Sequence, residues 1–258
     1  MQINRNNSLD PISISNWRWS YFLDLTIKKF SSFEHSPYPI KNDFLFRESF
    51  FGSNSNPKKV ILETWGLKTK KIRQARCACL QAGDITSIMN LVISPLYNYD
   101  LPFFGADFVT LPNGHLIALD LQPALKDDMV HTQYFLGKLE SIHNKWQSRL
   151  PSGGDIPLEA RKYFSPAFLW SRIPSGTEGD KLINQIIKPA FNDYLNFFMD
   201  LVANASRNSP ERSSMLLNGQ KKYMQYRAEK DPAKGMLSGF FGNIWTESYI
   251  NNILFDLQ

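Results

Sequence analysis

The spacing of β-rich runs in the middle of the chain restricts its fold more than any other feature. Five runs, "KVILETWGL" (59–67), "KIRQARCACLQ" (71–81), "ITSIMNLVISP" (85–95), "FFGADFVTL" (103–111) and "HLIALDLQP" (115–123), are separated only by short turns carrying Gly, Asp, Asn or Pro. A parallel neighbour needs a crossover of roughly a dozen residues, so these connections require antiparallel pairing. The centre is therefore expected to be an antiparallel meander with both faces partly apolar.

Helical patterns bracket it. Residues 17–35 place Trp17, Phe22, Leu25, Ile27, Phe30 and Phe33 at mostly helical spacing. After the meander, helices are predicted over 127–149, about 180–204 with a kink at Pro189, 210–229, and 232–240. The last, "TESYINNILFDL", would start at a Thr246 cap. The Pro-, Ser- and Asn-rich stretch up to "SNSNPKK" reads as loop, and 151–180 as irregular. Helices before and after one sheet predict an α/β fold over a single domain, 1–258. Its architecture would be an α/β/α sandwich, a central antiparallel sheet with helices on both faces.

With 43% hydrophobic residues the chain is not a disordered polymer, and no apolar run approaches the roughly 18–20 residues of a membrane span. The start, "MQINRNNSLDPISISNWRWSYF", lacks the order of a secretory leader, so a cytoplasmic location is expected. Cys77 and Cys79 are too close in sequence for an ordinary disulfide and have no companion Cys/His cluster, which argues for buried thiols and against a metal. There is no G-x-G-x-x-G after a strand, no P-loop and no G-x-S-x-G, so no bound flavin or nicotinamide is expected. Any redox electrons must come from outside. The net charge of +5 points to an acidic partner, with basic clusters at 70–73, at Lys221 and Lys222, and around Arg227, Lys230 and Lys234. The aromatics fall in apolar periodic positions rather than along a basic stripe, which speaks against nucleic acid.

One carboxylate stands out. Asp107 lies mid-strand between phenylalanines, where an unpaired charge is costly. It shares its face with Gly105, whose missing side chain leaves room for a flat ligand. Either Asp107 is satisfied by backbone donors or it handles a proton. The following "LPNGH" has two readings. An Asn113–Gly114 turn puts Asp120 opposite Asp107, whereas a three-residue Pro112–Asn113–Gly114 loop, which Pro112 favours, sends Asp120 to the other face. Asp231 before Pro232 has the form of a helix cap, and Arg227 four residues earlier could be its surface ion-pair partner. Asn90 in mid-strand and Arg172 after "AFLWS" are further candidates, the latter for an anionic group.

Together, "YDLPFFGADFVTLPNGHLIALDLQP" (99–123), "FSPAFLWSRIP" (164–174) and "YMQYRAEKDPAKGMLSGFFGNIWTESYINNILFD" (223–256) resemble the ferredoxin-dependent bilin reductases. The resemblance implies an α/β/α sandwich binding an open-chain tetrapyrrole between sheet and C-terminal helices. It implies no bound cofactor, with reduced 2Fe-2S ferredoxin as external donor and the basic clusters as its docking surface. It assigns Asp107 and Asp231 as proton donors, with Asn90, Arg172 and Arg227 contacting substrate, Arg172 through a propionate. Length and the Arg227-x-x-x-Asp231 pair point to the members that take 15,16-dihydrobiliverdin to phycoerythrobilin at the A-ring diene, through a bilin radical. Asn90 stands where the phycocyanobilin-forming relatives carry a histidine, which argues against their vinyl chemistry. The sister reaction, biliverdin to 15,16-dihydrobiliverdin, stays open, as does a non-catalytic bilin carrier. A monomer is expected, with transfer of substrate from the preceding bilin reductase also in play.

Overall fold

The computed structural model of the chain describes residues 5–256. In order the elements are α1 (Ser20–Phe30), β1 (His35–Pro37), α2 (Asn42–Leu45), β2 (Phe46–Ser53), β3 (Asn56–Thr69), β4 (Ile72–Ala82), β5 (Thr86–Pro95), β6 (Phe103–Leu111) and β7 (Gly114–Gln122). Then come α3 (Met129–Gln147), α4 (Leu158–Arg161), β8 (Leu169–Ile173), α5 (Gly176–Leu182), a π-turn (Ile183–Ile187) and α6 (Lys188–Asn204). The chain closes with α7 (Pro210–Glu229), α8 (Lys234–Phe241), α9 (Asn243–Tyr249) and a second π-turn (Ile250–Leu254). Leu257, the end of the predicted last helix, and the first four residues of the leader reading lie outside the described residues.

Among the described residues, eight strands form one antiparallel sheet in the order β1-β3-β4-β5-β6-β7-β8, with β2 also paired to β3. The predicted meander is β3 to β7. Three strands, the short β1, β2 and β8, occupy segments read largely as loop or irregular. β2 is mostly exposed along the sheet edge, so it lacks the apolar alternation that marks a half-buried strand. β8 has only five residues and pairs with β7 across a long connection, a non-local pairing that no turn signal announces.

The two faces are covered by different helices. On one, Met89, Leu91, Phe104, Phe108, Ile117 and Leu119 pack with Phe22 of α1, Leu139 of α3 and Phe191 of α6. Phe22, Phe108 and Phe191 meet edge-on, with centroids 4.8 and 5.1 Å apart for the Phe22 pairs. Full burial of each such ring stabilises by about 1.5–3 kcal/mol. On the other face Leu62, Leu80 and Phe103 pack against Tyr223 of α7, Leu237 of α8 and Ile250. Helices thus cover both faces, as the sandwich requires.

Local details differ from expectation at three places. Pro189 follows the first π-turn, where Lys188 N–H bonds to Ile183 O, so the irregularity in this long helix is a widened turn just before the proline. Thr246 is not a cap. Gly242, at φ 84°, separates α8 from α9, and Thr246 lies inside α9 with its N–H on Gly242 O. In the 70–73 cluster Lys71 and Arg73 are held by the fold, whereas Lys70 stays exposed beside Glu34. Lys71 Nζ donates to the carbonyls of Val202, Ala203 and Ala205 at 2.8, 2.9 and 2.8 Å, closing the C-terminal end of α6. Arg73 pairs with Asp256 at 3.2 Å and Lys70 with Glu34 at 2.6 Å.

Candidate active site

Strands β5, β6 and β7 form the floor of a cavity of about 430 Å³, within the range of small-molecule sites. Asn90 and Asp107 are cross-strand partners, and Gly105 lies opposite both Val92 and Asp120. The β6–β7 hairpin turns at Pro112–Asn113, because Leu111 pairs with Gly114. Neither reading of the turn from sequence is right. Asp120 joins the face of Asp107, displaced one step along the strand. Gly114 is the first strand residue at φ 138°, and a Cβ there would come within 2.3 Å of Ile173 O. The glycine serves the close approach of β8 rather than the turn centre.

One wall is aromatic. Phe164, Phe168 and Trp170 line the cavity as near-parallel rings, with centroids 4.1 Å apart at 11° and 6.0 Å apart at 12°. Gly153 lies against the indole, since a Cβ there would sit 2.1–2.3 Å from three ring atoms. The opposing wall is the last turns of α7, where helical spacing brings Tyr223, Tyr226, Arg227 and Lys230 to one stripe. Of these Tyr226, Arg227 and Lys230 line the cavity, and Tyr226 stacks on Tyr163 at 4.0 Å. The rim carries Asp155, Pro157 and Glu159.

Asp107 opens onto the cavity at the bottom of this space. Burial raises its pKa above the usual carboxylate range, against the charge of Arg227, while Asp231 adds to the rise. The amide of Asn90, its cross-strand partner, works the other way, as does the charge of Arg76. Asp120 is almost wholly buried and burial pushes it up to about 6, although Ser165 donates to it through N–H at 2.8 Å and Oγ–H at 2.5 Å. Through Ser165 this carboxylate also anchors the turn that presents Phe164 and Phe168.

Arg227 Nη1 donates to Tyr223 Oη at 3.2 Å, and Tyr223 donates in turn to Gln122 Oε1. Its guanidinium lies 5.2 Å from the centre of the Phe255 ring. The place beside Gly105 is not wholly empty, because Gln122 Oε1 lies 3.3 Å from where a Cβ would be.

The structure thus brings Asn90, Asp107 and Arg227 into one cavity. Asp231 sits just behind its wall, between the lining residues Lys230 and Pro232. Its Oδ1 accepts from Ala233 N–H at 2.8 Å, in the Asx turn that leads into α8. Burial raises its pKa too, opposed by that bond and by Arg227. Arg172 is on the same sheet face but outside the lining, exposed, with Nε on Gly153 O at 2.8 Å. Sequence reasoning did not find Gln122 or the aromatic wall, and it gave Lys230 to a basic cluster for an acidic partner rather than to the cavity. The spacing of Phe164, Phe168 and Trp170 was visible, but it shows a wall only once β8 is recognised. Among the described residues no group of His, Cys, Asp and Glu could hold a metal, and no helix is long and apolar enough to cross a membrane.

A family model described as ferredoxin-dependent bilin reductase matches residues 23–256. The chain is 78% identical over 258 residues to the phycoerythrobilin:ferredoxin oxidoreductase of Prochlorococcus marinus (strain NATL2A), covering all of both chains. It is 55% identical to the protein of that name from Parasynechococcus marenigrum (strain WH8102), over 98% of this chain and 97% of the relative. The crystal structure of tomato phytochromobilin synthase in complex with biliverdin superposes with a TM-score of 0.81. It covers 93% of this chain and 83% of the tomato chain at 24% identity, a likeness of fold.

Proposed function

The chain belongs to the ferredoxin-dependent bilin reductases, and from this premise we propose that it reduces the A-ring diene of 15,16-dihydrobiliverdin to phycoerythrobilin. It is an oxidoreductase whose electrons come from ferredoxin. The finer assignment is supported by the names of full-length relatives at 55–78% identity. The structural observation behind it is an acid, Asp107, at the floor of a cavity with parallel aromatic rings on one side, a shape suited to a flat conjugated ligand.

Reduction adds two electrons and two protons. In the proposed sequence each electron, delivered singly by a 2Fe-2S ferredoxin, is followed by a proton, with a bilin radical between the two steps. An aspartic acid at the usual pKa of about 4 would be ionised near neutrality. Burial raises the proton affinity of both Asp107 and Asp231, which suits them as donors. Asp107 would protonate the tetrapyrrole from the floor, and Asp231 would supply the proton on the α7 side. Arg227, between them electrostatically, would hold Asp231 and polarise the ring. Lys230 at the rim and the exposed Arg172 beyond it suit the substrate's propionates, and Asn90 completes the floor. The whole activity would reside in one domain, acting as a cytoplasmic monomer and taking its substrate free or from the preceding reductase.

The experiment is a parallel assay with biliverdin and 15,16-dihydrobiliverdin, reduced ferredoxin supplied and products separated. Phycoerythrobilin from dihydrobiliverdin alone is the expected result. Conversion of biliverdin to dihydrobiliverdin would assign the sister step, and no turnover of either would leave only a carrier.

A further inference from the structure

Arg76 on β4 is fully buried, yet among the described residues it forms no ion pair with a carboxylate. A buried guanidinium is tolerated only when its donors are matched. Here Nε and Nη2 donate to Leu254 O at 3.3 and 2.9 Å, at the C-terminal, electronegative end of the second π-turn. Nη1 donates to Asn90 O at 2.9 Å and to Asn90 Oδ1. Arginine has no acceptor, so Oδ1 of Asn90 must face Arg76 and the amide NH₂ must face away. Asn90 is the direct cross-strand partner of Asp107, so the NH₂ that turns away from Arg76 belongs to the residue beside that carboxyl.

We propose that Arg76 is a positioning residue: it locks the Asn90 amide so that its NH₂ donates to one oxygen of Asp107 and the acidic proton resides on the other oxygen. In this arrangement Asn90 serves the acid rather than the substrate. A histidine-free site thereby keeps a fixed donor beside its acid, and the bond opposes the rise that burial imposes on Asp107. The other charged groups facing Asp107 are Arg227 on α7, Asp231 after it and Asp120 on β7. The meaning for turnover rests on the proposed role of Asp107, but the geometry does not.

The test is an infrared titration of the full-length protein without bilin or ferredoxin, following the protonated-carboxyl band that Asp107→Asn abolishes. Arg76→Lys keeps the charge and loses the fork, so the midpoint should rise by about one pH unit, a tenfold gain in proton affinity. Asn90→Ala should give a similar rise, and adding Arg76→Lys to it should change little. A full-sized Arg76→Lys shift in the Asn90→Ala background would overturn the proposal, because Arg76 would then act without the amide. So would an unmoved midpoint in Arg76→Lys. Should Arg76→Lys fail to fold, Asn90→Ala alone decides, and an unchanged midpoint there refutes the proposal. Bilin and ferredoxin are absent, so an error in the assigned reaction leaves this result standing.

Discussion

Gly153→Ala should distort the aromatic wall without removing any ionisable group. A Cβ at this position would lie 2.1 Å from Trp170 Cδ1, 2.2 Å from Nε1 and 2.3 Å from Cγ, directly over the five-membered ring. Ordinary carbon contacts are about 3.6 Å, so the indole must withdraw by about 1.5 Å. Its backbone cannot follow easily. Trp170 accepts from Gly153 N–H at 3.1 Å, donates to Gln147 Oε1 at 2.9 Å and is paired with Ala118 in the sheet. The side chain alone must move, and forced repacking of this kind costs about 1–3 kcal/mol. For a chain of this size that is roughly a 2–12 °C fall in melting temperature. Because Trp170 lines the cavity, bilin affinity measured by absorption titration should fall at least about tenfold, equivalent to about 1.4 kcal/mol. A variant with unchanged melting temperature and unchanged bilin affinity would refute both the seating of the indole on this glycine and its place in the ligand wall.

Other perturbations separate structural from chemical roles. Lys71→Glu should lower stability by about 1–3 kcal/mol in denaturant titration by removing three carbonyl contacts at the end of α6. A normal stability with a raised ferredoxin KM would instead restore Lys71 to the docking surface. Asp120 is raised from 3.8 to about 6, so the folded protein holds a proton that the unfolded chain releases between these values. Its contribution is present below about pH 4 and is lost as pH rises through about 6, worth roughly 3 kcal/mol at most. Wild type should therefore lose stability relative to Asp120→Asn as pH rises across that window, and a flat difference would contradict the assignment. Asp231→Asn keeps the acceptor for Ala233 N–H, so it should fold and bind bilin while A-ring reduction fails. Wild-type turnover by that variant would leave Asp231 only the acceptor of the turn before α8, whose N-cap is Ala233.

Much of this architecture was legible because short turns leave strands little choice. The meander from β3 to β7 followed from that alone, and the apolar faces of α1, α3 and α6 from helical periodicity. What escaped was non-local. β8 returns to the sheet from a long excursion, and without it neither the aromatic wall nor the need for Gly114 can be seen. The turn at Pro112–Asn113 was misread because glycine was taken as a turn residue, when it answers to the carbonyl of Ile173. Asp107 was conspicuous because a carboxylate among phenylalanines is rare, whereas the face of Asp120 depended on the register, and the loop that Pro112 favoured would have sent it to the wrong one. The basic run at 70–73 suggested docking, but charge in a sequence does not reveal that a lysine closes a helix.

The central claim is that Asp107 gives its proton to a bound bilin. The measurement is rapid-mixing absorption and paramagnetic resonance of Asp107→Asn loaded with 15,16-dihydrobiliverdin, with reduced ferredoxin in excess. The account predicts that bilin stays bound, one electron enters, and a radical accumulates without phycoerythrobilin. Phycoerythrobilin formed at the wild-type rate, with no radical accumulating, would contradict it.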